Sequence, residues 1–194
     1  MPRKPKDGSV APVGPSNLIY QMKVTLKGVK PPIWRRVQVR SDITLKILHS
    51  TIQLVMGWHD AHLHAFNIKG ESYGDPEDEF GSDEKKFRLN RLNLEEKDKF
   101  IYEYDFGDDW VHEILLEKIL PVDEKIQYPI CLKGKRSCPL EDSGGPWGYM
   151  DLLDIISDPD HPEHEESIEW VPEDFDSEMF DAEEINRRLK AIRR

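Results

Sequence analysis

The sequence predicts an α+β fold: an antiparallel sheet with a packed helix, in the form of an α/β roll with a β-grasp-like ββα start, followed by a C-terminal helical segment. Three patterns point there. Tyr20, Met22, Val24 and Leu26, and then Ile33, Val37 and Val39, recur with the period of two expected of half-buried strands. Leu45, Leu48, Ile52 and Val55 follow the 3-4-3 spacing of an amphipathic helix. Phe100, Tyr102, Tyr104 and Phe106 alternate again ahead of an acidic turn, so strands recur on both sides of one helix and an antiparallel roll is favoured over a parallel sheet.

Residues 1–17 mix Pro, Gly, Ser and Lys without periodicity and are expected to form a flexible tail. Residues 18–194 are expected to form a single domain, an α+β core over 18–147 followed by an acidic helical part over 148–194. The first strand runs from Leu18 toward Gly28, and the second follows the Pro31-Pro32 turn, antiparallel to it. Thr44 can cap the helix and Gly57 can end it. Leu63 to Lys69 reads as a third strand and the polar stretch Glu71 to Lys86 as a long loop.

Phe100 to Ile119 reads as a hairpin. With Gly107-Asp108 as a two-residue loop, Phe106 faces Asp109, Asp105 faces Trp110, Tyr104 faces Val111 and Glu103 faces His112. That register assigns Tyr102, Tyr104, Phe106, Val111 and Leu115 to the core, and Glu103, Asp105, Trp110, His112 and Ile114 to the other face. Farther on, Gly144-Gly145-Pro146 opens a short helix through Tyr149, Leu152, Leu153 and Ile156, and Pro162 suits the first turn of another. Asp181 and Glu184 form a capping box ahead of Ile185, Leu189 and Ile192.

With 194 residues, 38% hydrophobic and 34% charged, the chain can bury one sizeable core. No run approaches the roughly 20 apolar residues of a bilayer span, and the N-terminal stretch lacks the apolar centre of a secretory signal. A cytoplasmic protein with no membrane partner is therefore expected. Cys131 and Cys138 fall outside any CxxC spacing, so no disulfide framework is expected.

The net charge of -11 is a local property. Residues 1–150 hold 23 acids and 22 bases, whereas residues 151–184 hold 15 acids and no Lys or Arg. Arg187, Arg188, Lys190, Arg193 and Arg194 follow on the last predicted helix. Only Lys133, Lys135 and Arg136 make a small basic cluster, which argues against gripping a phosphate backbone.

Two stretches could carry chemistry. In the first, Glu103, Asp105, Asp108, Asp109, Trp110 and His112 gather acids, an indole and an imidazole near a hairpin tip, where they could act as acid/base groups, cation ligands or a contact patch. Turn-stabilising acids and a cross-strand ion pair are the simpler account. The second, Cys138 to Tyr149, could bring Glu141 and Asp142 toward that tip, or could be only a turn into a helix. A Cys138 nucleophile would need a histidine partner and a lowered pKa, neither legible in sequence. His62 and His64, two apart, would share a strand face, and with His112, Asp105 or Glu141 could hold a divalent metal such as zinc. The chain has no GxxxxGK[ST], GxGxxG or HExxH motif.

Taken together, Ile33-Trp34-Arg35-Arg36, Gly57-Trp58 with His62-Leu63-His64-Ala65-Phe66, Tyr104-Asp105-Phe106-Gly107-Asp108-Asp109-Trp110 with His112, and Cys138 to Gly145 resemble the signature blocks of the Ri-plasmid (pRiA4b) ORF-3-like family. The blocks occur in the family's order over about residues 18–185. Leu140 and Ser143 stand where the family's last block often has a second proline and a second cysteine, which argues against a cysteine-pair metal site or redox couple. The resemblance implies an α+β roll and an association with plasmids and mobile elements, sometimes under resolvase-like names, but no activity. No serine-recombinase pattern and no basic helix-turn-helix is present.

Three functional expectations follow, in this order. The first is a non-catalytic interaction or accessory module that meets a protein partner through the 105–112 hairpin tip and the 141–147 turn. The second is a metal-dependent, hydrolase-like enzyme using His62, His64, Asp105, His112 and Glu141. Nucleic-acid handling as an accessory of mobile elements ranks last.

Overall fold

The computed structural model describes residues 18–78 and 81–192. The predicted tail over residues 1–17 lies outside the described residues, as do Arg193 and Arg194 of the predicted last helix. Two long strands, β1 (Leu18–Leu26) and β2 (Trp34–Arg40), precede helix α1 (Leu45–Met56), giving the predicted ββα start. Strands β3 (His64–Ile68), β4 (Glu71–Gly74), β5 (Ser82–Asp83), β6 (Lys99–Tyr104), β7 (Trp110–Pro121) and β8 (Ile130–Lys135) follow, and then helices α2 (Gly145–Ser157), α3 (His164–Trp170) and α4 (Ala182–Leu189).

The strands make one eight-stranded sheet in the order β5-β4-β3-β6-β7-β1-β2-β8. Every pairing is antiparallel except the short contact of β4 with β5. Burial alternates along β2 and β6 and along most of β1 and β7, so one face of the sheet is core and the other is only half-covered. On the half-covered face Lys23 and Arg36 both lie over the Trp34 ring, and Arg36 pairs with Glu117 at 2.6 Å. Helix α1 lays Leu45, Leu48, Ile52 and Val55 into the core as their spacing predicts. The Thr44 side chain accepts from Ile47 N, and Gly57 ends the helix with φ +89°, a conformation that favours glycine.

Three sequence expectations are corrected. The hairpin turn spans five residues, not two: Tyr104 pairs with Trp110, Glu103 with Val111 and Tyr102 with His112. Asp105 and Asp109 both take positive φ, and Asp105 Oδ1 accepts from Gly107 N and Asp108 N at 3.0 and 3.3 Å, so the acids close a longer turn than Gly-Asp alone would. The change turns Trp110, His112 and Ile114 into the core, and Val111 and Leu115 to the half-covered face.

The stretch from Glu71 to Lys86 is not one long loop. It contains β4 and β5, whose pairings lie far from the apolar alternation that flags a strand. Strand β8, which the sequence reading did not predict, is recruited by pairing with β2. Its outer edge is covered, because Asn186 of α4 both accepts from Cys131 N (2.9 Å) and donates to Cys131 O (2.8 Å).

Helix α4 of the C-terminal part is therefore packed onto the edge of the sheet. Leu189 is fully buried, Asp181 caps α4 through Glu183 N and Glu184 N, and Arg187 and Arg188 both pair with Glu184. Arg35 joins the layers: its Nε donates to Val55 O (2.8 Å) at the end of α1, and its Nη1 to Trp34 O (2.9 Å) and Lys135 O (3.0 Å). The Phe180 ring covers its guanidinium at 5.2 Å. Replacing Arg35 by Met leaves these carbonyls without their donor and should lower stability by about 3 kcal/mol. Urea denaturation at neutral pH measures it, and a loss below about 1 kcal/mol would mean that the bonds contribute little net.

Candidate functional site

The loop between α1 and β3 is held by three consecutive backbone N–H groups, each donated to a side chain. His59 N donates to Glu141 Oε1 (2.7 Å), Asp60 N to Gln53 Oε1 (3.0 Å) and Ala61 N to the Tyr104 hydroxyl oxygen (3.0 Å). Tyr104 in turn donates to Glu141 Oε1 at 3.0 Å. Burial raises the Tyr104 pKa well above the ordinary phenol range, so the group remains a neutral donor. Trp58 stacks on Tyr104 with centroids 4.9 Å apart, and its indole N–H donates to Pro139 O at 3.0 Å. The 58–61 loop and the 139–141 segment are thereby tied to each other through one tyrosine.

At the surface this arrangement sets His62 among carboxylates. His62 Nδ1 lies 3.5 Å from Asp105 Oδ2, and Nε2 lies 3.2 Å from Asp142 Oδ1 and 3.6 Å from Glu141 Oε2. The hairpin tip is locked to the next turn, since Gly144 N donates to Asp108 Oδ2 at 3.1 Å. Gly145 approaches so closely that a Cβ would lie 2.3 Å from Asp108 O, and its φ is +70°. Trp147, in the first turn of α2, is 89% exposed. Glu103 lies apart on the half-covered face, where burial and the neighbouring Asp109 raise its pKa.

Beneath the loop, His49 of α1 and His64 of β3 stack face to face, with ring centroids 3.5 Å apart and 16° between planes. Both are buried, as is Glu84, which follows β5. His49 Nε2 lies 2.7 Å from Asp60 Oδ1, and His64 Nε2 lies 3.0 Å from Glu84 Oε2. Lys46 Nζ approaches Glu84 Oε1 at 3.6 Å and Asp60 Oδ2 at 3.7 Å. Gln53 Nε2 donates to the Tyr102 oxygen (2.9 Å), which leaves the Tyr102 hydroxyl hydrogen for His49 Nδ1 (2.8 Å) and the ring proton on Nε2 facing Asp60. Burial, and after it the adjacent His64, lowers the His49 pKa to about 4, so this ring is neutral.

The residues singled out in the sequence thus divide. Asp105, Asp108, Glu141 and Asp142 gather around His62 and the tip. The expected metal set of His62, His64, His112 and Asp105 does not converge. Strand β3 begins at His64, so His62 belongs to the loop and the two rings do not share a strand face. The five-residue turn sends His112 into the core, where its Nδ1 faces Tyr102 O at 3.3 Å. Trp110 goes with it, at 1% exposure, and is a packing residue, not a contact residue. Burial pushes the Cys138 thiol up to about 12, which removes it as a nucleophile.

Among the described residues, two groups of metal-ligating side chains come within 4.8 Å of one another: His49, Asp60 and His64, and His62, Asp105 and Asp142. The sequence reading missed His49, Asp60 and Glu84. A signal existed for His49, which adjoins Leu48 on the apolar stripe of α1. None existed for Glu84, whose position follows from the non-local pairing of β5.

The model of the family described as plasmid pRiA4b ORF-3-like protein matches residues 18–184. The chain belongs to this family. The uncharacterized protein y4hQ of Sinorhizobium fredii is 36% identical over 176 residues, covering 88% of this chain and 90% of that protein. The crystal structure of MM3350, a protein of unknown function from Methanosarcina mazei Go1, is similar with a TM-score of 0.82 at 42% identity, over 87% of this chain and 98% of that one. No helix among the described residues is long and apolar enough to cross a membrane.

His112 makes the family hairpin sensitive to acid. Burial lowers its pKa from 6.5 to about 4. Between those values the unfolded chain takes up a proton that the folded chain refuses, so stability falls as pH drops through that window. For this ring alone the loss at about pH 5 is about 2 kcal/mol. Urea midpoints at neutral and mildly acidic pH should fall for the wild type and fall less for His112→Gln; equal falls would locate the sensitivity elsewhere.

Proposed function

We propose that this member of the ORF-3-like family is a non-catalytic interaction module, and that it engages a protein partner through the hairpin tip and the 141–147 turn. One observation carries the reading: Trp147 is a large indole left 89% exposed on backbone that Gly145 and Asp108 lock together. An aromatic anchor on immobile backbone loses little conformational freedom on binding. Asp105, Asp108, Glu141 and Asp142 surround the tip. A concavity of about 350 Å³ beside the turn is walled by Asp142, Asp151, Leu152, Ile155 and Trp170.

Acids and indoles in one surface select a partner segment in which Lys or Arg is flanked by apolar residues. The same acids repel a phosphate backbone, which is why nucleic-acid handling stays behind this reading. The metal-dependent enzyme drawn from the sequence loses its support where His62, His64 and His112 separate into three environments.

Crosslinking in cells that express the tagged wild-type chain should recover a recurrent protein, less of it at high salt. Trp147→Ala, which removes no buried side chain, should cut that recovery about tenfold or more, and Asp142→Asn should cut it by a smaller factor. Recovery unchanged in both folded variants, or no recurrent protein with the wild type, rejects the module reading.

A further inference from the structure

We infer that the buried His49, His64 and Glu84, with the exposed Asp60 at their rim, form a site for one divalent zinc-like cation, separate from the contact surface around Trp147. The donor set is two imidazoles and two carboxylates, the ligand mixture of a borderline first-row metal. Ligand atoms of His49, Asp60 and His64 already lie within 4.8 Å of one another. Metal–ligand bonds of about 2.0–2.2 Å can bridge such a gap with small rotations.

A second, independent observation is Glu84. Its carboxylate is fully buried, Oε2 meets His64, and Oε1 has no hydrogen-bond partner, only the ammonium of Lys46 at 3.6 Å. Lys46 balances the charge from beyond hydrogen-bond distance, so Oε1 keeps a lone pair that no donor uses and that a closer cation could take. Lys46 reaches the cluster from a side chain 32% exposed, so it can swing out when a doubly charged ion enters.

The surroundings suit ligation as well. His49 directs Nε2 at the carboxylate of Asp60, 2.7 Å away, on the side from which an ion would be shared. Its Nδ1 is oriented by the Tyr102 hydroxyl, which Gln53 holds in turn. The four ligands come from α1, the loop after it, β3 and the turn after β5, so a bound ion would tie together segments far apart in sequence. With four protein ligands the site is closed and structural rather than catalytic.

The test uses the full chain, stripped with a chelator, dialysed and titrated with zinc chloride in a calorimeter, with cobalt(II) absorption as a second readout. One equivalent should bind, and the thermal midpoint should rise on saturation. Because His49→Ala or His64→Ala risks unfolding the core, Asp60→Asn and Glu84→Gln carry the decision: each should bind at least about tenfold more weakly with an unchanged circular dichroism spectrum. The inference is overturned if the wild type takes up no stoichiometric zinc, or if both variants bind as tightly as the wild type. It also fails if His62→Ala abolishes uptake, which would put the ion in the group of His62, Asp105 and Asp142.

Discussion

Two buried phenol hydroxyls organise this protein. Leaving a buried phenol oxygen unpaired, as at Tyr149, costs about 1–3 kcal/mol, and Tyr102 and Tyr104 avoid that cost. Tyr102 and Tyr104 sit two residues apart on β6 and point to the same face, so the demand arises twice in neighbouring places. Tyr102 meets it with His49 and Gln53 of α1, and Tyr104 with Ala61 N and Glu141. The helix, the loop that leaves it and the turn before α2 are all positioned by satisfying these two oxygens.

The histidine environments follow from the same geometry. With the N–H groups of residues 59–61 each accepted by a side chain, Asp60 reaches the buried His49 ring from the surface and His62 meets Asp105 and Asp142. Residues adjacent in sequence thus serve opposite sides of one loop. The segment of five residues from Asp60 to His64 thus contributes both to the His49–His64 cluster and to the acidic surface around His62. The two differ at their imidazoles, because His49 and His64 are buried and His62 is partly exposed.

The C-terminal part shows how charge and packing can be decoupled. Fifteen acids between residues 151 and 184 suggest a solvated tail when counted, yet Leu189, Phe180 and Asn186 fasten this region to β2 and β8. In α4 the acids face outward while Leu189 is buried, so the end of a strongly charged segment still closes the edge of the sheet.

Sequence alone determined the elements whose signals are local: the alternation of β1 and β2, the capped stripe of α1, the capping aspartate of α4, and the family to which these blocks belong. Each depends on residues within a few positions of one another, where period and capping chemistry suffice. Only the tertiary structure decided the five-residue turn, the recruitment of β4, β5 and β8, and the burial of Trp110 and His112. A strand's face reverses with a shift of one residue, and short polar strands exist only because a neighbour supplies their hydrogen bonds. The pairing of His49 with His64 and Glu84 is of the same kind. Their separation along the chain carries no periodic trace, and the folded sheet alone brings them together.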